Sequence, residues 1–319
     1  MRLAVVLPCY NEEEVLEETA RRLLKLFAEL IEKKKIVDDS KIYFVDDGSR
    51  DRTWEIIEKL AGEHPRVCGI KLSRNRGHQN ALLAGLLNAE GDALVSLDVD
   101  LQDDINVMEK MLDKHLEGCE IVYGVRKHRD TDTKFKRFTA QGFYKLMRMG
   151  GVDIIYNHPD YRLMSRRAIE HLREFREVNL FIRGIVPLIG FKSSKVYYDR
   201  AERYAGRSKY PLKKLLAFAW NGITSFSILP LRLITVLGFV TSVFTFFMIC
   251  WILAVKFFTG KAVPGWASTV LPIYFLGGIQ ILSIGVIGEY LGKIYEESKA
   301  RPRFIIEKMT GSLEGDGTP

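Results

Sequence analysis

Four carboxylates, Asp98, Asp100, Asp103 and Asp104, stand within seven positions in the stretch LDVDLQDD (97–104). They follow GDALVS, an apolar run that reads as a buried strand. Like charges this close repel, and burial raises the cost of leaving them unpaired. Something must meet them: a divalent cation, a cluster of Arg and Lys, or water. An oxygen-only donor set suits a hard cation such as Mg2+ or Mn2+. If the strand continues, positions 98, 100 and 102 share one face, which adds Gln102 to the Asp98–Asp100 pair.

The elements that must position these groups alternate. LAVVLP (3–8) reads as a strand, followed by an amphipathic helix with Val15, Leu16, Leu23, Leu24, Phe27 and Ile31 on its apolar face. KIYFVDDGS (41–49), VCGIKLS, GDALVSLD and EIVYGVR (120–126) read as further strands, with helices at DRTWEIIEKLAGEH and QNALLAGLLNAE. This order predicts an α/β, Rossmann-like domain with a largely parallel sheet, whose ligands bind at the strands' C-terminal ends. The residues suited to chemistry fall there: Pro8 to Glu12, Asp46 to Ser49, Ser73 to Gly77, and Asp98 to Asp104. His78 has no Cys or His partner at metal-ligand spacing, and we assign it no role at this point.

The chain has 319 residues, 47% of them hydrophobic and 27% charged, as in a globular protein. Two 23-residue runs, Leu233–Val255 and Trp266–Gly288, contain no charge, and each is long enough to cross a bilayer as a helix. The loop between them carries Lys256 and Lys261, whereas the outer flanks carry Lys209, Lys213, Lys214, Arg232, Lys293, Lys299, Arg301 and Arg303. That asymmetry places both termini in the cytoplasm and the hairpin tip outside. The N-terminus has too short an apolar run for a cleavable signal, and Cys9, Cys68, Cys119 and Cys250 form no CxxC pair, as expected in a reducing compartment without structural zinc. Residues 120–214 hold 22 Lys and Arg against 10 Asp and Glu. A basic segment that ends at a membrane points to anionic headgroups or phosphorylated ligands rather than nucleic acid. In PLKKLLAFAWNGITSF, the apolar residues Leu212, Leu215, Leu216, Ala219, Trp220, Ile223 and Phe226 recur at helical spacing, which predicts an in-plane interfacial helix.

LPCYNEEE, VDDGSRDRT, RNRGHQNALLAG, DVDLQDD and DYRLMSR, in this order and with the C-terminal apolar pair, resemble the motif series of family 2 glycosyltransferases with the GT-A fold. Within that family the chain is most similar to the polyprenyl-phosphate group, which includes bactoprenol glucosyltransferases and dolichyl-phosphate mannose synthases. The resemblance implies a division into a catalytic domain (1–210), an interfacial helix (211–230), two membrane helices (231–292) and a cytoplasmic tail (293–319). It implies that Asp98, Asp100 and Gln102 hold Mg2+ or Mn2+ and the diphosphate of a nucleotide-sugar. Pro8, Tyr10, Asn11, Glu12 and Asp46 would take the nucleotide, with Arg207 and Lys209 on the diphosphate. Asp160 corresponds to the acid that in related enzymes acts on the acceptor, with Arg162 as a candidate ion-pair partner. Arg126, Arg137, Arg200 and Arg203 would hold a lipid phosphate through bidentate contacts.

The implied activity is inverting transfer of a sugar, from UDP-glucose or a related UDP-sugar, to undecaprenyl phosphate at the cytoplasmic face of the cell membrane. A homo-oligomer, tetrameric by likeness to the bactoprenol enzymes, is expected, with Gly277, Gly278, Gly285 and Gly288 available for close helix packing. Three rival readings are a processive polysaccharide synthase, a transferase acting on a lipid hydroxyl, and a silent membrane scaffold. The first lacks its Q-x-x-R-W motif here.

Overall fold

Segments apolar on both faces are stable as strands only where helices cover both faces. The computed structural model describes residues 1–127, 159–177, 181–199, 229–259 and 266–311. Its first nine elements are β1 (Leu3–Cys9), α1 (Leu16–Glu32), β2 (Lys41–Asp46), α2 (Thr53–Glu63), β3 (Val67–Leu72), α3 (His78–Asn88), β4 (Ala93–Ser96), α4 (Val107–Leu116) and β5 (Ile121–Arg126). All but α4 fall in the segments the sequence assigns to them, with β2 and β4 ending earlier than read. Along β1 the side chains alternate: Leu3, Val5 and Leu7 join the core with α1, α2 and α4, while Val6 meets α3. Gly85 makes that approach possible, since a Cβ there would lie 2.3 Å from Val6 Cγ1. Each fully buried Val, Leu or Ile in these strands contributes about 1.5–3 kcal/mol.

Three strands lie beyond the sequence reading: β6 (Arg162–Ser165), β7 (Ser193–Tyr198) and β8 (Ile306–Thr310), with helices α5 (Arg166–Glu174) and α6 (Ile182–Leu188) between β6 and β7. The strand order is β7-β5-β6-β4-β1-β2-β3-β8. β6 and β8 run antiparallel to their neighbours and every other pair is parallel, so the sheet is α/β and largely parallel, as expected. β8 corrects the reading of 293–319 as a tail: residues 306–310 extend the sheet beside β3, held by Lys308–Glu58 (2.6 Å) and Lys71–Glu307 (3.0 Å).

The strand order turns at β1, which pairs with β4 only as far as Val6 and with β2 up to Cys9. Pro8, which has no N–H to give, therefore sits where β1 has already parted from β4. The C-terminal ends diverge at this point, and in open α/β sheets such a crevice is where ligands bind.

α7 (Leu229–Thr259) and α8 (Trp266–Ser298) form a second compact unit; α1–α6 and the eight strands belong to the first. Phe239, Phe244, Phe246, Phe247 and Trp251 on α7, and Ile281, Leu282 and Ile284 on α8, are 63–74% exposed. Among the described residues one stretch, Phe275–Ser298 in α8, is long and apolar enough to cross a membrane. Two were expected, and the one found ends at Ser298 rather than Gly288. Most of the predicted interfacial helix, residues 211–228, lies outside the described residues.

Candidate active site

The loops after β1 and β2 are stitched together. Asn11 adopts φ +54, donates its backbone N–H to Ser49 Oγ (3.0 Å) and accepts from Arg50 N–H through Oδ1 (2.9 Å). The Glu12 N–H donates to Thr53 Oγ1 (2.9 Å), and Tyr10 is 41% exposed. β2 stops at Asp46, short of the predicted 49, because Gly48 turns to φ +67 and the Asp46 carboxylate accepts the Ser49 N–H (3.1 Å). Asp46 Oδ2 is buried without a partner, ready to accept from a ligand N–H or O–H. Burial raises its pKa, opposed by its bonds from Ser49. Asp47 is differently employed: it takes the N–H groups of Arg76 (2.6 Å) and Gly77 (2.9 Å), fixing the loop that leads into α3. At Gly48 a Cβ would fall 2.7 Å from the Asn75 nitrogen. Gly48→Ala is therefore expected to cost about 1–3 kcal/mol, read as a lower melting temperature.

The D-x-D segment is a turn and not the continued strand. β4 ends at Ser96, residues 99 and 100 turn, and Leu101 is forced to φ +56. The turn still gathers the expected groups, since the Gln102 N–H donates to Asp100 Oδ1 (3.2 Å). α1 pins it from behind through Thr19 Oγ1, which donates to the Val99 carbonyl (2.8 Å). The four carboxylates are met in different ways. Asp103 is buried and accepts Arg126 Nε (3.0 Å), Arg126 Nη2 (2.8 Å) and the Tyr198 hydroxyl (2.6 Å) on one oxygen. Asp104 accepts the Asn106 N–H at the start of α4 (3.0 Å). Asp98 Oδ1 is buried with no hydrogen bond; its nearest cationic neighbour is His78 Nε2 at 3.6 Å.

An orphaned, buried carboxylate oxygen beside a second acid is the donor chemistry a hard divalent cation needs. Among the described residues no group of three His, Cys, Asp or Glu converges to hold an ion. Asp98 and Asp100 would thus share an ion with ligand phosphates and water, the usual arrangement for Mg2+.

Asp160 is the hub of the site. It is 2% exposed. Its oxygens accept from Arg162 Nη2, from Arg183 Nε (3.2 Å) and Nη2 (2.9 Å), and from Gln79 Nε2 (3.1 Å), and His78 Nε2 lies 3.3 Å away. Burial alone would raise its pKa, but the charges of Arg183 and Arg162 and the His78 contact hold the carboxyl well below the usual range. Arg162 is wholly buried and is an ion-pair partner of Asp160, and its Nε and Nη1 have no acceptor. For His78, loss of solvent lowers the pKa, but Asp160 and Asp98 outweigh it and the net shift is upward.

The structure thus brings Pro8, Tyr10, Asn11, Glu12, Asp46, Asp98, Asp100, Gln102 and Asp160 to the same edge of the sheet. It commits Arg126, expected on a lipid phosphate, to Asp103. Arg137, Arg200, Arg203, Arg207 and Lys209 lie outside the described residues. His78 corrects the sequence reading, for it touches both acids that matter most. Its signal was position: it opens α3 at the C-terminal end of the sheet. Arg183 and Gln79 escaped notice altogether.

Residues 4–173 match the model of the glycosyl transferase family 2. The chain is 54% identical over 311 residues to the uncharacterized glycosyltransferase YkoT of Bacillus subtilis, covering 96% of this chain and 91% of that one. It is 41% identical over 311 residues to the bactoprenol glucosyl transferase of Shigella phage SfV, covering 96% and 98%. Among solved structures, the glucosyl-3-phosphoglycerate synthase of Mycobacterium tuberculosis, in complex with Mn2+, UDP and phosphoglyceric acid, aligns with a TM-score of 0.44 and 20% identity over 70% of this chain and 76% of that one. With a D-x-D turn at the β1–β4 crevice and near full-length likeness to named glycosyltransferases, this chain belongs to glycosyl transferase family 2.

Proposed function

We propose that the protein transfers a sugar from a nucleotide-sugar, UDP-glucose or a related UDP-sugar, to polyprenyl (undecaprenyl) phosphate, inverting the anomeric centre and releasing a nucleoside diphosphate. The observation that carries this reading is the state of Asp160. Two guanidiniums and His78 hold it ionised and occupied, so it is badly placed to take a proton from an acceptor hydroxyl. A phosphate monoester needs no such base: with a second pKa of about 6 it arrives mostly ionised. The phosphate oxygen bonds to the anomeric carbon as the bond to the diphosphate breaks, the electron pair leaves with the diphosphate, and no proton moves. Asp46 Oδ2 and the Tyr10–Glu12 loop would take the nucleotide. Asp98, Asp100 and Gln102 would hold Mg2+ or Mn2+, which supplies Lewis-acid neutralisation of the leaving diphosphate.

A lipid acceptor fits a chain that would be anchored by a membrane hairpin. The chain leaves the α/β unit before α7 and returns to it as β8. A sheet that folds on one side of a membrane allows only an even number of crossings, so α7 would cross with α8. The Lys and Arg flanks would then put the catalytic unit and both termini in the cytoplasm. The glycines at 277, 278, 285 and 288 would meet nothing within 4 Å if given a Cβ, which suits packing against another copy in a homo-oligomer.

The test is transfer from radiolabelled UDP- and GDP-sugars to undecaprenyl phosphate in detergent, with Mn2+, Mg2+ or EDTA, beside diacylglycerol and ceramide as hydroxyl acceptors. A metal-dependent product on the lipid phosphate alone is the expected result. Product on a hydroxyl acceptor, or none on any, overturns it.

A further inference from the structure

Asp160 divides its two oxygens among groups that are not equivalent. Arg162 is wholly buried, and its two unpaired nitrogens point into protein, where no ligand can reach them. Arg183 is different. It belongs to the first turn of α6, and its side chain keeps 34% of its surface exposed while Nε and Nη2 grip Asp160. The start of α6 is itself fixed, because the Ile182 N–H donates to Gln79 Oε1 (3.1 Å) and the same Gln79 amide donates to Asp160. The guanidinium is thus held in orientation by Asp160 while about a third of the side chain stays exposed.

Its position relative to the D-x-D turn matters equally. Arg183 contacts Asp160, Asp160 contacts His78, and His78 contacts Asp98, with no step longer than 3.6 Å. One carboxylate in this chain serves two guanidiniums and an imidazole, so the cluster gathers positive charge beside the acids. Arg is the side chain whose planar fork matches phosphate oxygens, and a fork already oriented loses little freedom when it binds.

We infer that Arg183 contacts a substrate phosphate, and that Asp160 acts as the positioning residue that aims it. This rests on the transferase reading above. The phosphate is either that of the lipid acceptor or the diphosphate of the donor; the chemistry of recognition is the same, and the experiment separates them. Of the three arginines bonded to Asp103 and Asp160, Arg162 is sealed in the core, Arg126 keeps 20% of its side chain exposed, and Arg183 keeps the most, 34%.

The experiment uses the full chain in detergent, as wild type, Arg183→Lys and Arg183→Ala. UDP binding in the presence of Mn2+ and undecaprenyl phosphate binding are titrated separately, and the KM for each substrate is measured. Loss of a charge-assisted contact is expected to weaken one titration by at least about tenfold in Arg183→Ala. Arg183→Lys, which keeps the charge but not the fork, should recover only part of it. Loss confined to undecaprenyl phosphate assigns the acceptor; loss confined to UDP assigns the donor; either supports the inference. If both variants bind both ligands as wild type does, and only melting temperature falls, Arg183 is merely the structural partner of Asp160 and the inference is wrong. A wild type that binds neither ligand fails the transferase reading itself, and this inference with it.

Discussion

Asp98→Ala is expected to lower sugar transfer by about 10²–10³-fold, the several kcal/mol a Lewis acid contributes at a leaving group. The isosteric change Asp98→Asn should make the metal-free protein more stable. Burial lifts the Asp98 carboxyl above its ordinary range; His78 opposes that, and Asp160, Asp103 and Asp100 add to it. A raised folded-state pKa means that the native state binds the proton more tightly than the unfolded chain does. This group's contribution therefore becomes less favourable as pH rises from the ordinary Asp range through the raised value. At neutral pH the ionised Asp98 costs stability until a cation meets it. Asp98→Asn in EDTA should then melt above the wild type, while Mn2+ should raise the melting temperature of the wild type and not of the variant. A variant that melts lower in EDTA and responds to Mn2+ as before would remove Asp98 from the metal site.

Arg162→Ala is expected to destabilise the α/β unit by about 3–5 kcal/mol, the cost of breaking a buried pair and leaving one charge behind. Arg183 remains to share Asp160, which places the effect toward the lower end. The Arg162 pair is itself expensive, since two of its nitrogens have no acceptor. Arg162→Met combined with Asp160→Asn should consequently recover much of the loss in a denaturant titration, with a coupling between the sites of about 0.5–3 kcal/mol. Recovery of stability without recovery of transfer is the expected pattern, because Arg183 would lose its guide. Simple additivity of the two changes would show that the pair is not coupled.

Much of the fold is legible in the sequence, because strands buried on both faces cannot hide their apolarity: LAVVLP and KIYFVD have few other uses. The strands that escape reading are those the environment permits to be polar. β7, SSKVYY, lies at one edge and buries only Val196 and Tyr198. β8, IEKMT, is held by ion pairs to Glu58 and Lys71 as well as by its ladder. The site is legible to the extent that it is local. Asp46, Asp98, Asp100 and Gln102 declare themselves at strand ends within short motifs. The geometry of the D-x-D segment does not, since nothing in LDVDLQ announces that Leu101 will be held left-handed. The Asp160 cluster joins residues 78, 79, 160, 162 and 183, and a contact spanning about a hundred positions leaves no periodicity to find. Arg126 shows the converse: its type and place fit a phosphate, yet Asp103, 23 residues earlier, claims it in this structure.

The return of β8 to the sheet also sets an order of events during synthesis. The described residues that line the crevice lie before residue 200, so that part of the protein can collapse while the ribosome is still making the apolar helices. β3 must wait with one edge bare until residues 306–310 emerge. A bare strand edge is a template for pairing with another chain. Chains stalled or truncated within α8 would carry a formed crevice and an open edge together, and would aggregate through β3 rather than accumulate as a soluble half-enzyme.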